Sequence, residues 1–200
     1  MTLQNRVTPL GELIADPARG LVYGNRGCLH DAGGRIRRDF AVRRWIACRL
    51  EFRGWQRRPK MQPGRFTELF FLDDATALAA GHRPCALCRR EDYKRWQAAW
   101  PMAGETGADA MDVVLHASRL DGRAKRTYES TLGELPDGVI VDRGGAPFLL
   151  ADGALHAWSA AGYGAAEPAR ADERVTVLTP EATVATIDRG YRVSLHPSVS

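Results

Sequence analysis

No apolar run in the chain approaches the roughly 18 residues that a membrane-spanning helix requires. The opening stretch, MTLQNRVTPLGELIADPARG, lacks the basic, apolar and small-residue order of a secretory signal. These two absences predict a cytoplasmic chain with no membrane partner. There is no phosphate-cradling Gly-Lys-Ser/Thr loop, no dinucleotide fingerprint and no Ser-His-Asp arrangement, which removes the common nucleotide-binding and hydrolase readings. Internal repeats and low-complexity tracts are also missing. Cysteine is scarce, at four in 200 residues. In a reducing compartment, and in a chain long enough to build a core without staples, four thiols do not suggest a disulfide framework. Metal binding and plain burial are the readings left for them.

What is present is a globular composition, 44% hydrophobic, with a net charge of +4 that is unevenly spread. Residues 1–100 carry 19 basic and 10 acidic side chains, whereas residues 101–200 carry 9 and 14. The surplus is narrower still, because 11 basic residues fall between Arg35 and Arg65 against Asp39 and Glu51 alone.

Alternating bulky and polar residues in RRWIACRLEF predict a strand over 44–53, and RFTELFFL predicts another over 65–72. Asp73 or Asp74 can cap a short helix, DATALAA, that Gly81 leaves with positive φ. Tyr93, Trp96 and Trp100 then form a helical face that ends at Pro101. The small, polar stretch PMAGETGADA is read as a linker over 101–110. Beyond it, MDVVLHA, DGVIVDRGGAPFLLADGALHAW and ERVTVLT read as strands separated by Asp-Gly and Gly-Gly turns, with a short helix around Thr179 to Arg189. The predicted architecture is α+β: a small zinc-stabilised, basic N-terminal module over 1–100, followed by a β-rich, acidic half over 111–200.

Cys85-Ala-Leu-Cys88 has the spacing at which two thiolates on a tight turn reach one zinc ion. The surrounding segment, FFLDDATALAAGHRPCALCRR, resembles the second half of the zinc module of the Ada family of DNA alkylation-repair proteins. The family's pattern is an aromatic, a helix ending Ala-Gly, an aromatic, then Arg-Pro-Cys-x-x-Cys, and the resemblance covers residues 70–90 only. The resemblance implies Cys85 and Cys88 as zinc ligands and contact with DNA backbone. In that family four thiolates hold the metal and one accepts a methyl group from a phosphotriester. The family's upstream Cys-x-x-x-Cys pair has no counterpart here, so the repair reaction does not carry over.

Spacing nominates Cys48 as the third ligand, on a strand expected to pair with 65–72. Cys28 or His30, in a glycine-rich turn, is the fourth candidate, with His82 a further one. A closed set of this kind is structural, since no position is left for a substrate.

Arginines alternating with Trp45, Phe52 and Trp55 combine phosphate-neutralising charge with rings on which bases stack. Arg43, Arg44, Arg53, Trp55, Arg57, Arg58 and Lys60 are therefore the candidate nucleic-acid contacts, to DNA ahead of RNA, and Asn25-Arg26-Gly27 is a candidate anion-binding turn. The opposing reading is a solvated segment whose arginines pair with the acidic half. A separate basic cluster, LHASRLDGRAKRTYES, gathers His116, Arg119, Arg123, Lys125 and Arg126 around Asp121, with Glu129 following. It offers His116, Asp121 and Lys125 to a metal-dependent enzyme acting on nucleic acid. A thiol redox protein using Cys85 and Cys88 is the remaining alternative.

Overall fold

A computed structural model describes residues 2–54, 60–104 and 106–199. It is an α+β structure with four helices, two six-stranded sheets and a small hairpin. The first sheet contains β1 (Gln4–Val7), β2 (Leu13–Ala15), β3 (Val22–Asn25), β4 (Ile46–Cys48) and β5 (Leu69–Phe71). Helix α1 (Asp74–Ala79) follows, and β6 (Arg83–Pro84) returns to the sheet, giving the order β2-β1-β5-β3-β4-β6. Helices α2 (Arg90–Ala99) and α3 (Ala108–Arg119) come next, then the hairpin β7 (Leu120–Asp121) and β8 (Ala124–Lys125). The second sheet is built from β9 (Tyr128–Thr131), β10 (Ile140–Arg143), β11 (Ala146–Ala151), β12 (Ala154–Ser159), β13 (Gly162–Pro168) and β14 (Arg174–Val177), in the order β13-β12-β11-β10-β14-β9. Helix α4 (Glu181–Asp188) closes the chain's regular structure. No helix among the described residues is long and apolar enough to cross a membrane.

Strand alternation decides which core each residue joins. Val141, Phe148 and Leu150 face one way and meet Trp96, Met111, Leu115 and Ile187 from the helices. Ile140, Leu149 and Ala151 face the other and meet Leu72, Ala75 and Ala79. A further cluster packs Ala77 and Ala80 against Val7, Val22, Leu69 and Phe71 of the first sheet. Helix α1 is therefore buried along its whole length, and its alanines let three cores approach one backbone. Asp73 caps it, its carboxylate accepting from the Thr76 amide at 2.9 Å. Gly81 leaves it at φ +88°. Side chains on both sides of residues 101–110 share the largest cluster, Tyr93, Trp96 and Trp100 packing with Met111 and Leu115.

Three expectations need correction. The predicted strand over 44–53 is regular only at Ile46–Cys48, and that over 65–72 only at Leu69–Phe71. Strand β4 does not pair with β5, because β3 lies between them; its partners are β3 and β6. MDVVLHA is helix, not strand. Met111, Leu115 and Arg119 recur at four-residue spacing and are all buried, which outweighs the β-branched pair Val113-Val114.

Candidate metal centre

The register of the first sheet builds the thiol cluster. Cys48 ends β4, which runs parallel to β6 with Ala47 opposite Pro84. The Cys85 amide donates to the Ala47 carbonyl at 2.9 Å, which fixes the knuckle beside Cys48. The Sγ atoms of Cys48, Cys85 and Cys88 all lie within 4.8 Å of one another, and all three residues are buried. Tyr23, opposite Cys48 on β3, packs over them with Phe52, Ile46 and Phe70.

Two buried ion pairs position the turn. Arg83, immediately ahead of the knuckle, donates Nε and Nη2 to the two carboxylate oxygens of Asp112 on α3, at 2.9 and 2.7 Å. Arg89, immediately behind it, forks onto Asp74 of α1 and also reaches Asp92. Sequence reasoning misses both pairs, although an arginine on each side of the cysteines is the available signal. A bidentate guanidinium–carboxylate contact fixes orientation as well as distance.

The sulfurs are arranged as a thiolate site rather than as three inert hydrophobes. Cys85 is held far below the ordinary thiol range, first by hydrogen bonds from the Cys48 and Cys88 thiols, then by the backbone N–H groups of Cys88 and Leu87. The Arg49 amide donates to Cys88 Sγ at 3.5 Å. The same thiol contacts, with burial, push Cys48 strongly up. Zinc–sulfur bonds of about 2.3 Å in a tetrahedron place sulfurs about 3.8 Å apart, so a set already within 4.8 Å closes on an ion with little movement. These three cysteines can hold a metal.

The other ligand candidates are elsewhere. Cys28 Sγ contacts the His30 carbonyl at 3.6 Å, and the His30 ring is engaged by Thr67 Oγ1 at 2.6 Å and the Gln62 carbonyl at 3.2 Å. Neither joins the thiol group. His82 is fully buried between Trp45 and Phe71, and burial first, then Arg26 and Arg119, hold its imidazole neutral. Among the described residues the cluster is three sulfurs, with no fourth Cys, His, Asp or Glu.

Of the candidate nucleic-acid contacts, Trp55, Arg57 and Arg58 lie outside the described residues. Arg43, Arg44, Arg53 and Lys60 are exposed, as are Arg35, Arg37, Arg38, Arg49 and Arg65. Arg43 and Arg44 line a groove of about 660 Å³ whose opposite wall carries Asp109 and Asp112. Arg44 pairs with Asp109 at 2.9 Å, and Arg37 with Asp31 at 2.7 Å. Arg53 sits over the Phe52 ring and Lys60 over Phe70. Trp45 is buried at 3% exposure and is no platform for a base.

The catalytic candidates separate. His116 Nδ1 lies 3.0 Å from Arg119 Nη2 on α3, and Lys125 donates to the Ala79 carbonyl at 2.6 Å at the end of α1. Asp121 points to solvent beside Arg126, and Glu129 accepts from Thr176 at 2.6 Å on the second sheet. Asp121 and Glu129, the two carboxylates nominated with Lys125, are held by Arg126 and Thr176 instead of by Lys125. Compared with family models, curated proteins and solved structures, the chain matches none.

Proposed function

We propose that this is a zinc-binding protein that contacts nucleic acid through its sugar–phosphate backbone, DNA ahead of RNA. Zinc is favoured over magnesium or calcium because soft thiolates make up the whole donor set, and hard cations take oxygen. The proposed role of the ion is to stabilise the N-terminal part of the chain, as the resemblance to the Ada module implies for Cys85 and Cys88. One observation carries the reading. The strand that supplies Cys48 leads directly into exposed Arg49 and Arg53, so pinning the sulfurs also orders the cations beside them. Neutralising several phosphates in this way makes affinity fall steeply with salt.

Protein purified without chelator is expected to carry about one zinc per chain by native mass spectrometry. Replacing Arg49, Arg53 and Lys60 together by Ala should weaken binding to duplex DNA and flatten its dependence on log salt by about 0.9 for each phosphate that is no longer neutralised. A triple variant with the wild-type salt slope overturns the backbone reading, and a metal-free chain with unchanged fold overturns the zinc.

A second reading is favoured by the count of sulfurs. Zinc with three protein ligands leaves one position for water or substrate, and Cys48 borders a cleft of about 230 Å³ that also holds Arg49, Asp73, Asp74, Arg89 and Asp92. A metal-dependent enzyme acting on nucleic acid would then lose turnover on Cys48→Ser; absence of turnover on every strand type in the wild type leaves the binding reading alone.

A further inference from the structure

Beside the C-terminal end of α1, at Ala80, a cleft of about 310 Å³ is lined by Arg26, Arg119, Arg123 and Lys125 together with Trp45 and Phe40. Arg26 and Arg119 are each 1% exposed. Arg26 comes from the turn after β3, Arg119 from the last turn of α3 and Lys125 from β8, so three distant segments deliver positive charge to one place. We propose that this cleft binds the phosphate of a phosphomonoester, the ligand's flat or apolar body lying against Phe40 and Leu10. The proposal stands independently of the metal centre.

The donors are only partly used by the protein. Arg26 gives Nη2 to the Gly11 carbonyl at 2.8 Å. Arg119 gives Nη1 to Gly81 O at 2.8 Å and Nη2 to Arg43 O at 2.6 Å, and Lys125 gives its amine to Ala79 O. Both guanidinium Nε–H groups are buried without an acceptor. Capping the carbonyl end of α1 accounts for a cation there, but not for three, and not for the two idle donors.

No carboxylate among the described residues lies within ion-pair distance of Arg26, Arg119 or Lys125. Two carboxylates, Glu12 and Asp39, line the cleft; Asp39 pairs with Arg123 at 3.4 Å, and Asp112 is committed to Arg83. Both guanidinium groups lie over the Trp45 ring, at 4.7 and 3.9 Å, which orients them but brings no countercharge. Leaving charges buried and unpaired is costly, so the site is complete only with an anion. Burial accordingly drives Arg26 down to about 10, Arg119 to about 9 and Lys125 to about 7. Phosphate suits two forked guanidinium groups and a point-charge amine better than a spherical anion does. The apolar wall of Leu10, Phe40 and Leu120 gives the rest of the ligand somewhere to lie.

The test is calorimetric titration of the whole chain with inorganic phosphate, adenosine 5′-monophosphate and adenosine. A 5′-phosphorylated oligonucleotide and its 5′-hydroxyl twin distinguish a strand end from a free small molecule as the source. Saturable binding of phosphate and the monophosphate, with none of adenosine, is expected. Lys125→Met should weaken it about tenfold, the loss of one charge-assisted hydrogen bond. Arg123→Glu places the opposite charge on an exposed rim residue, does not threaten folding, and should weaken binding by a similar factor. No saturable binding of either phosphate species by the wild type, or wild-type affinity in Arg123→Glu, overturns the proposal even where Lys125→Met does not fold.

Discussion

The thiol knuckle and the Trp45 cleft are both buried polar sites beside α1, and they solve the problem of buried charge in opposite ways. At the knuckle, amide N–H groups and neighbouring thiols converge on sulfur, so negative charge is stabilised in advance of a cation. Its flanking arginines are matched with carboxylates, Arg83 with Asp112 and Arg89 with Asp74 and Asp92. In the cleft Arg26, Arg119 and Lys125 meet carbonyl oxygens, the His116 ring and an aromatic face, with no carboxylate at ion-pair distance among the described residues. The first could hold a positive guest, the second is the one proposed for a negative guest, and only the first has its flanking arginines paired with carboxylates.

The largest expected effect breaks the knuckle side. Cys85→Ser should abolish stoichiometric metal and lower stability by several kcal/mol, because coordination energy is folding energy in such sites; metal analysis with a denaturant titration checks both. Arg83→Ala leaves Asp112 buried and unpaired and should cost about 3–5 kcal/mol, read in the same titration. Asp112→Asn, which keeps the shape, should cost less.

Gly81→Ala joins the two sides, since this residue separates α1 from the knuckle strand. Its φ of +88° disfavours a side chain, and an added Cβ would lie 2.6 Å from Arg119 Cδ. The substitution should cost about 1–3 kcal/mol and weaken phosphate binding, whereas metal content should hold.

The smallest effect sharpens the cleft. The Lys125 amine, lowered to about 7 by burial first and by Arg26 second, stays protonated to about 10.5 when unfolded. Between those values the unfolded chain holds more protons, so stability should rise with pH above about 7, with the penalty fully present below it. Lys125→Met should flatten that rise in thermal melts across the range.

The knuckle is legible in the sequence because its two sulfurs are three residues apart and the chain must turn between them. Cys48 is nominated by its place on an apolar strand, and it does lie with the pair, but through β6 rather than through 65–72. Parallel pairing of two- and three-residue strands leaves no periodic trace in sequence. Cys28 and His30 look suitable by residue type alone; His30 is instead a hydrogen-bonded core residue. The helical nature of α3 is written in its four-residue spacing but masked by adjacent valines. Arg119 and Lys125 stand out as a local cluster and Arg26 as a separate turn. Only the approach of α3 to the first sheet makes them one site, and long-range docking of that kind is set by packing rather than by any nearby residue pattern.

Helix α1 is only six residues long, yet all of them are buried and its apolar side chains are divided among three apolar clusters. An element too short to persist by itself is thus the common floor of both halves of the chain. Its amides should open only when the whole molecule does, which makes Ala77 and Ala79 candidates for the slowest deuterium uptake in the protein. A cut at residue 100 would strip that floor of half its covering, so the two halves are expected to melt in one transition instead of two.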